Sequence, residues 1–137
     1  RRWQRVFGHR NRGRPLDIYF PPGALSELTA IKVTEVMGPT PSGFTDYSLL
    51  YAIEPADLSL KVPASVRLPW AIQLQEGVTF SVNPALAIYS SRSAAVGFEK
   101  RPDSYTNAGF NQASLDRLGY LFAGYPASLD PPECTTP

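Results

Sequence analysis

Cysteine and histidine are almost absent from this sequence, which has one of each among its 137 residues. Cys134 alone cannot close a disulfide within the chain, and a structural zinc site takes four cysteine or histidine ligands. His9 has no nucleophile or orienting acid near it in the sequence, so we expect it in a solvent-facing turn. The chain also has no glycine-rich phosphate loop and no calcium-loop spacing. The sequence therefore predicts no catalytic residue, no metal site and no cofactor.

Long apolar runs are absent as well. No stretch reaches the roughly 18 to 20 consecutive apolar residues that a membrane-spanning helix needs, so the sequence predicts no membrane span. Long helices are disfavoured because 14 prolines and 10 glycines interrupt the chain and each proline removes a backbone donor. Frequent turn residues between short apolar stretches are typical of β-strands joined by turns.

Apolar material, by contrast, is plentiful. Hydrophobic residues make up 43% of the chain and aromatic residues 12%, which suffices for one core at this length. We expect a single β-sandwich domain over residues 1–125 and a proline-rich tail or linker over 126–137. The sequence starts at Arg1 without an initiator methionine, which favours an excised or processed piece of a longer product.

Positive charge is concentrated at the start of the chain. The segment before Pro15 has no acidic residue and a formal charge of +6, whereas the remainder has seven basic and twelve acidic residues, a balance of −5. Such a basic segment is a candidate contact for phosphate, for a membrane surface or for an acidic neighbour, and it can also neutralise its own domain. The candidate interaction residues in this segment are Arg1, Arg2, Arg5, Arg10, Arg12 and Arg14.

Alternation of apolar and polar residues, the period of a β-strand, marks the predicted strands. The first hairpin spans about residues 3–20, and Pro21, Pro22 and Gly23 form a structural corner that ends it. Pro63 is predicted to mark an edge or a sheet-switching corner between two short strands. The same alternation predicts strands over residues 30–37, 44–53, 58–62, 64–68, 86–89 and 96–100.

The best helix candidate covers residues 114–120. Ser114 is a possible N-cap, and Leu115, Leu118 and Leu121 have helical spacing. A final strand through 120–123 is the alternative. Since no strand–helix–strand alternation occurs, the fold class that we predict is all-β, an antiparallel β-sandwich with short helical turns.

Two segments resemble the ZU-five domain family, named for zonula occludens proteins and the Unc netrin receptors. The first is Ile-Tyr-Phe-Pro-Pro-Gly-Ala-Leu-Ser at 18–26, an extended strand followed by the corner. The second comprises Ile-Glu-Pro-Ala-Asp at 53–57 and Val-Pro-Ala-Ser-Val-Arg-Leu-Pro-Trp at 62–70. The resemblance covers about residues 6–89 and leaves the C-terminal third unmatched. This sequence departs from the family at Asp57, where glycine is common.

The resemblance implies a β-sandwich used for protein contact. Such domains bind cytoskeletal partners in animals and occur within large surface or envelope proteins in bacteria. Some members cleave themselves at a His-Phe-Ser tripeptide. The nearest match here is Thr79-Phe80-Ser81, which lacks the histidine, so we expect no self-cleavage.

Two functional hypotheses remain. The first is a non-catalytic interaction or structural module of a larger extracytoplasmic, secreted or cell-surface protein, whose partners are neighbouring domains or subunits, with a homo-oligomer as an open possibility. Its candidate contact residues combine amphipathic aromatic rings with amides: Tyr105, Asn107, Phe110 and Asn111. The alternative, less favoured, is a nucleic-acid-associated shell or coat protein that uses the arginine-rich segment.

Overall fold

The computed structural model describes residues 4–7, 16–38, 40–71, 82–92, 97–107 and 109–129, with the backbone alone for 4–7. These residues form β-strands and one short 3-10 turn, Ala127–Leu129. The described strands, in chain order, are β1 Gln4–Phe7, β2 Asp17–Phe20, β3 Lys32–Val36, β4 Phe44–Asp46, β5 Leu50–Glu54, β6 Ser59–Pro69, β7 Ala87–Ser91, β8 Glu99–Lys100, β9 Tyr105–Asn107, β10 Phe110–Arg117 and β11 Tyr120–Pro126.

The strands form two sheets that pack face to face. Sheet A has the order β1-β2-β6-β10-β9, and sheet B has the order β3-β5-β11-β7-β8, with β4 also paired to β11. Every pairing is antiparallel. The predicted antiparallel β-sandwich is confirmed.

Alternation along each strand supplies the core. In each sheet every second side chain points between the layers, where apolar groups exclude water. The inward side chains of sheet A include Ile18, Val66, Leu68, Ala113 and Leu115, and those of sheet B include Tyr51, Ile53, Ile88, Leu121 and Ala123. The residues between them in sequence point away from the core and form an outer face on each sheet.

The first hairpin and its corner lie where the sequence predicts them. β1 pairs with β2, and Gln4 is opposite Phe20. The chain then turns, and the Ala24 amide donates to the Pro21 carbonyl at 3.1 Å. Gly23 has a φ of 86°, which side chains other than hydrogen disfavour. Ala24 is consequently brought back into the core.

Pro63 does not divide two strands, so that prediction is wrong. It lies inside β6, a single strand of 11 residues. β10 pairs regularly with β6 from Pro69 to Ala64, and the register shifts before Ser59 meets Arg117. Proline is tolerated in a strand where no ladder bond needs its missing N–H, and this irregular stretch provides such a position.

The strand predicted over 44–53 is broken by Ser48. The Ser48 hydroxyl accepts from the Ala123 amide at 2.8 Å and donates to the Leu49 carbonyl at 2.9 Å. The amides of Tyr47 and Ser48 both donate to the Ala123 carbonyl. A buried side chain thus takes a place in the ladder, and β4 and β5 become separate strands along the same side of β11.

The helix predicted over 114–120 is a strand end and a turn. β10 continues to Arg117 and β11 begins at Tyr120, as the alternative strand predicted. Leu115, Leu118 and Leu121 are all buried, but Leu115 points inward from β10 of sheet A, Leu121 points inward from β11 of sheet B, and Leu118 lies in the turn between them. Their three-residue spacing therefore comes from a turn that carries the chain from one sheet to the other and buries a residue on each side.

The chain stays on the domain beyond residue 125. β11 ends at Pro126, the 3-10 turn follows, and the Asn83 amide donates to the Leu129 carbonyl at 2.9 Å. The first four residues of the predicted tail therefore pack on the sandwich, and 130–137 with Cys134 lie outside the described residues. None of the helices in the described part of the chain has the length and hydropathy of a membrane span.

Candidate functional site

The outer face of sheet A is built from polar and aromatic side chains. β2 contributes Asp17 and Tyr19, which are paired with Arg67 and Ser65 of β6. The next strand, β10, places Gln112 opposite Arg67. Opposed residues of an antiparallel pair project from the same face, so these five side chains form one surface. They line a shallow depression of about 140 Å³.

Arg67 is the central cation of this face. Its guanidinium carbon lies 4.5 Å from the centroid of the Phe110 ring, a cation–π arrangement that fixes the planar group and leaves its N–H edge available. Among the described residues Arg67 forms no ion pair. Beside it the Gln112 amide donates to the Ser65 hydroxyl at 3.3 Å.

The edge strand β9 extends this surface. Tyr105 is opposite Gln112, and Asn107 is opposite Phe110. The side chains of Tyr105 and Asn107 are both exposed, and Tyr105 is 50% exposed. Three of the four residues predicted as a C-terminal contact patch, Tyr105, Asn107 and Phe110, therefore share the outer face with Arg67.

Asn111 is not a surface contact, and its prediction is wrong. It is 0% exposed and points between the sheets, because it alternates with the outward Phe110. Its carbonyl oxygen accepts from the Trp70 indole at 2.9 Å, and its amide nitrogen donates to the Thr106 hydroxyl at 2.9 Å. A buried amide with partners on both ends holds β10 to its neighbours.

The N-terminal arginines are described only in part. Arg5 lies in β1, where its backbone is opposite Tyr19, so β1 continues sheet A beside the outer face. Outside the described residues are Arg1, Arg2, Arg10, Arg12 and Arg14, together with His9 and the Thr79-Phe80-Ser81 tripeptide.

A second polar region was not predicted from the sequence. A cleft of about 650 Å³ lies at one end of the sandwich, and arginines from three separate segments line it. Arg92 follows β7, Arg101 follows β8, and Arg117 ends β10. We name it the arginine cleft. Strand alternation gives no signal for it, because the three residues are brought together only by the sheet order.

Asp57, in the corner between β5 and β6, forms ion pairs with two of these arginines. Its Oδ1 accepts from Nη1 of Arg117 at 2.8 Å and lies 3.3 Å from Nε of Arg92. Arg117 also donates to the Asp57 carbonyl. The φ of Asp57 is 66°, in the left-handed region that glycine favours and that aspartate tolerates better than most residues. The sequence showed the unusual residue here but not its ion pairs.

One tyrosine, Tyr89, and one aspartate, Asp103, have shifted pKa values. Burial raises the pKa of the Tyr89 phenol. Burial is the largest single influence on the pKa of Asp103 and acts to raise it, but hydrogen bonds from Ser114 and from the backbone of Asp103, together with the positive charge of Arg101, outweigh burial and lower that pKa. Neither group lies within a cluster that could hold a metal, and the described ranges contain no group of three or more His, Cys, Asp or Glu side chains that could do so.

No family model and no curated protein matches this chain.

Proposed function

We propose that this chain is a non-catalytic interaction module that binds a protein partner through the outer face of sheet A. One observation carries the proposal: Arg67 is stacked on Phe110 beside the half-exposed Tyr105, and no described segment packs over them. Tyrosine and arginine are enriched at the centres of protein interfaces, where large rigid groups lose little entropy on binding. The partner is a neighbouring domain or another subunit, which includes a second copy of this chain.

The sequence motifs extend this proposal to the kind of protein in which the module occurs. The resemblance to the ZU-five family, which rests on residues 18–26, 53–57 and 62–70, favours a module within an extracytoplasmic or cell-surface protein. In such a protein the sandwich would hold neighbouring parts in place rather than act on a substrate.

Site-specific photo-crosslinking tests the contact face. A photoreactive phenylalanine analogue at position 105 should give a discrete protein adduct in cells that make the protein. The matched control is position 120, since Tyr120 lies on the outer face of sheet B and should give none. Equal adducts from both positions, or none from either, would reject the proposed face.

A second candidate function has a specific observation behind it. Arg5 is opposite Tyr19 in sheet A, which brings the strand of the basic segment beside a face that carries stacked Arg67. Single-stranded nucleic acid is bound by such combinations of arginine and aromatic rings. Retention of a single-stranded oligonucleotide should then weaken steeply with salt, because bound arginines release counterions. Absence of retention at low salt would remove this candidate.

A further inference from the structure

The arginine cleft is a site separate from the outer face of sheet A. Ser90 lies two residues beyond the core residue Ile88 on the same side of β7, so the cleft opens directly from the interior between the sheets. Leu118, which is buried, contributes to its floor, and its walls are polar. Its volume of about 650 Å³ is in the range of small-molecule sites.

Arg101 has a buried guanidinium N–H to which the fold supplies no acceptor. Its backbone amide donates to the Ile88 carbonyl at 2.8 Å, which anchors the residue to β7. Its side chain is only 18% exposed, and its Nε is buried without a hydrogen-bond partner. Its Nη1 reaches only an exposed carboxylate, Asp116, at 3.4 Å. Buried polar groups in proteins are nearly always satisfied, so the unpaired guanidinium N–H of a residue that lines a cleft points to an acceptor from outside the fold.

The neighbouring hydrogen-bond donors also favour an anionic acceptor. Arg92 and Arg117 both depend on the single carboxylate of Asp57, so their guanidinium groups keep further N–H donors. Ser90 and Ser91 add hydroxyl groups to the wall, and Glu99 adds a carboxylate besides that of Asp116. A guanidinium presents parallel N–H bonds that match the two oxygens of a carboxylate or a phosphate.

We propose that the arginine cleft binds a small molecule through an oxyanion, a carboxylate or a phosphate, held by Nε and Nη of Arg101. The oxyanion replaces the long contact to Asp116. Asp116, 71% exposed, then turns to solvent and opposes binding through its like charge. This activity is independent of the protein contact at the outer face of sheet A.

The Arg101 Nε–H resonance in nitrogen-15 NMR spectra reports directly on the proposed bond. The folded chain is titrated with sodium acetate and, separately, with inorganic phosphate, at ionic strength held constant with sodium chloride. We expect a saturable shift of the Arg101 Nε–H signal, and the probe that produces it identifies carboxylate or phosphate as the ligand group. The Trp70 indole N–H, which donates to the buried Asn111, serves as the reference outside the cleft and should not shift.

Two variants act in opposite directions. Arg101→Lys should weaken binding, followed at the Ser90 and Ser91 amides, by at least about tenfold, as expected for loss of a charged hydrogen bond. Asp116→Asn should strengthen it severalfold, and this variant still tests the site if Arg101→Lys does not fold. Lys61→Arg, a conservative change at an exposed cation outside the cleft, is the control and should leave affinity unchanged. An Arg101 signal that shifts no more than that of the Trp70 indole with either probe, or an Asp116→Asn variant that binds no better, would overturn the proposal.

Discussion

The outer faces of the two sheets differ in how far their large side chains are buried. The face of sheet B is covered by its own aromatic residues: Phe44 and Phe98 pack on Phe122 with ring centroids 5.3 and 5.1 Å away, and Tyr89 stacks on it at 5.9 Å. Phe122 is therefore 0% exposed although it points away from the main core. The face of sheet A keeps Tyr105 and Arg67 exposed.

The difference follows from where each sheet carries aromatic residues. Phe44 lies on β4, a strand that pairs with the end of β11, and Phe98 lies in the segment before β8, so both place their rings on the outer surface of sheet B. On sheet A the Phe110 ring packs against Arg67, but Arg67 and Tyr105 both stay exposed. A face that buries its own rings contributes to stability, whereas one that leaves them exposed is available for a partner.

The largest test of this comparison is Phe122→Ala. Truncating a fully buried phenylalanine should lower the free energy of unfolding by about 3 to 5 kcal/mol, because it removes apolar contacts and leaves a cavity. Phe110→Ala on the opposite outer face is the matched control and should cost about 1 kcal/mol, the scale of cross-strand aromatic pairs. Urea unfolding measures both. Equal costs would show that the faces do not differ.

A smaller effect is expected from one added methyl group on each face. At Gly124 a Cβ would meet the Thr45 carbonyl oxygen and lie 2.8 Å from the Phe122 ring. Gly124→Ala should therefore destabilise the fold by about 1 to 3 kcal/mol through overpacking. Ser65→Thr adds a methyl to the outer face of sheet A and should change stability by no more than about 0.5 kcal/mol. Thermal unfolding distinguishes them, and a tolerated Gly124→Ala would contradict the close approach.

The corner at Asp57 lies outside both outer faces, and there we expect backbone conformation to contribute more to stability than charge. Asp57→Ala should cost about 1 to 2 kcal/mol, because alanine is strained in the left-handed region. Asp57→Asn tolerates that backbone and loses only partly exposed ion pairs, so its cost should be below about 1 kcal/mol. If both variants lose the same stability, charge rather than backbone geometry holds the corner.

The smallest effect is a pH dependence at the edge of sheet A. Oδ1 of Asp103 accepts from the Ser114 amide at 3.1 Å, and the pKa of Asp103 is lowered. A lowered pKa in the folded state means that the stabilisation is present above the ordinary carboxyl range and is lost as pH falls through the lowered value. Asp103→Asn should flatten the acid limb of a stability–pH curve. An unchanged acid limb would assign it to other carboxylates.

Much of the fold was predictable because strand alternation and turn residues are local signals. The corner at Pro21 to Gly23 and the inward set of β6 follow from them directly. The wrong predictions depended on partners far away in sequence. The break at Ser48 requires Ala123, and the turn between the sheets at Gly119 fits only because that residue has no Cβ to meet the Ser91 carbonyl. Leucine spacing alone could not distinguish that turn from a helix.

The candidate sites divide in the same way. Tyr105, Asn107 and Phe110 were predictable as exposed aromatic and amide residues near one strand. Alternation from Phe110 also indicates that Asn111 points inward, whereas its amide composition among aromatic residues predicts an exposed contact. The arginine cleft could not be predicted, because Arg92, Arg101 and Arg117 converge only through the order of strands in two sheets.

The hydroxyl groups beside β7 have a consequence for assembly. Ser104 accepts from the Ile88 amide at 2.8 Å, and Thr106 donates to the Leu86 carbonyl at 3.4 Å, where the chain crosses from one sheet to the other. On that side the border strands β8 and β9 have only two and three residues. An incoming strand from another molecule would find little backbone to pair with there. At the opposite border β1 and β3 have four and five residues, so they offer a longer described edge for the pairing of an added strand.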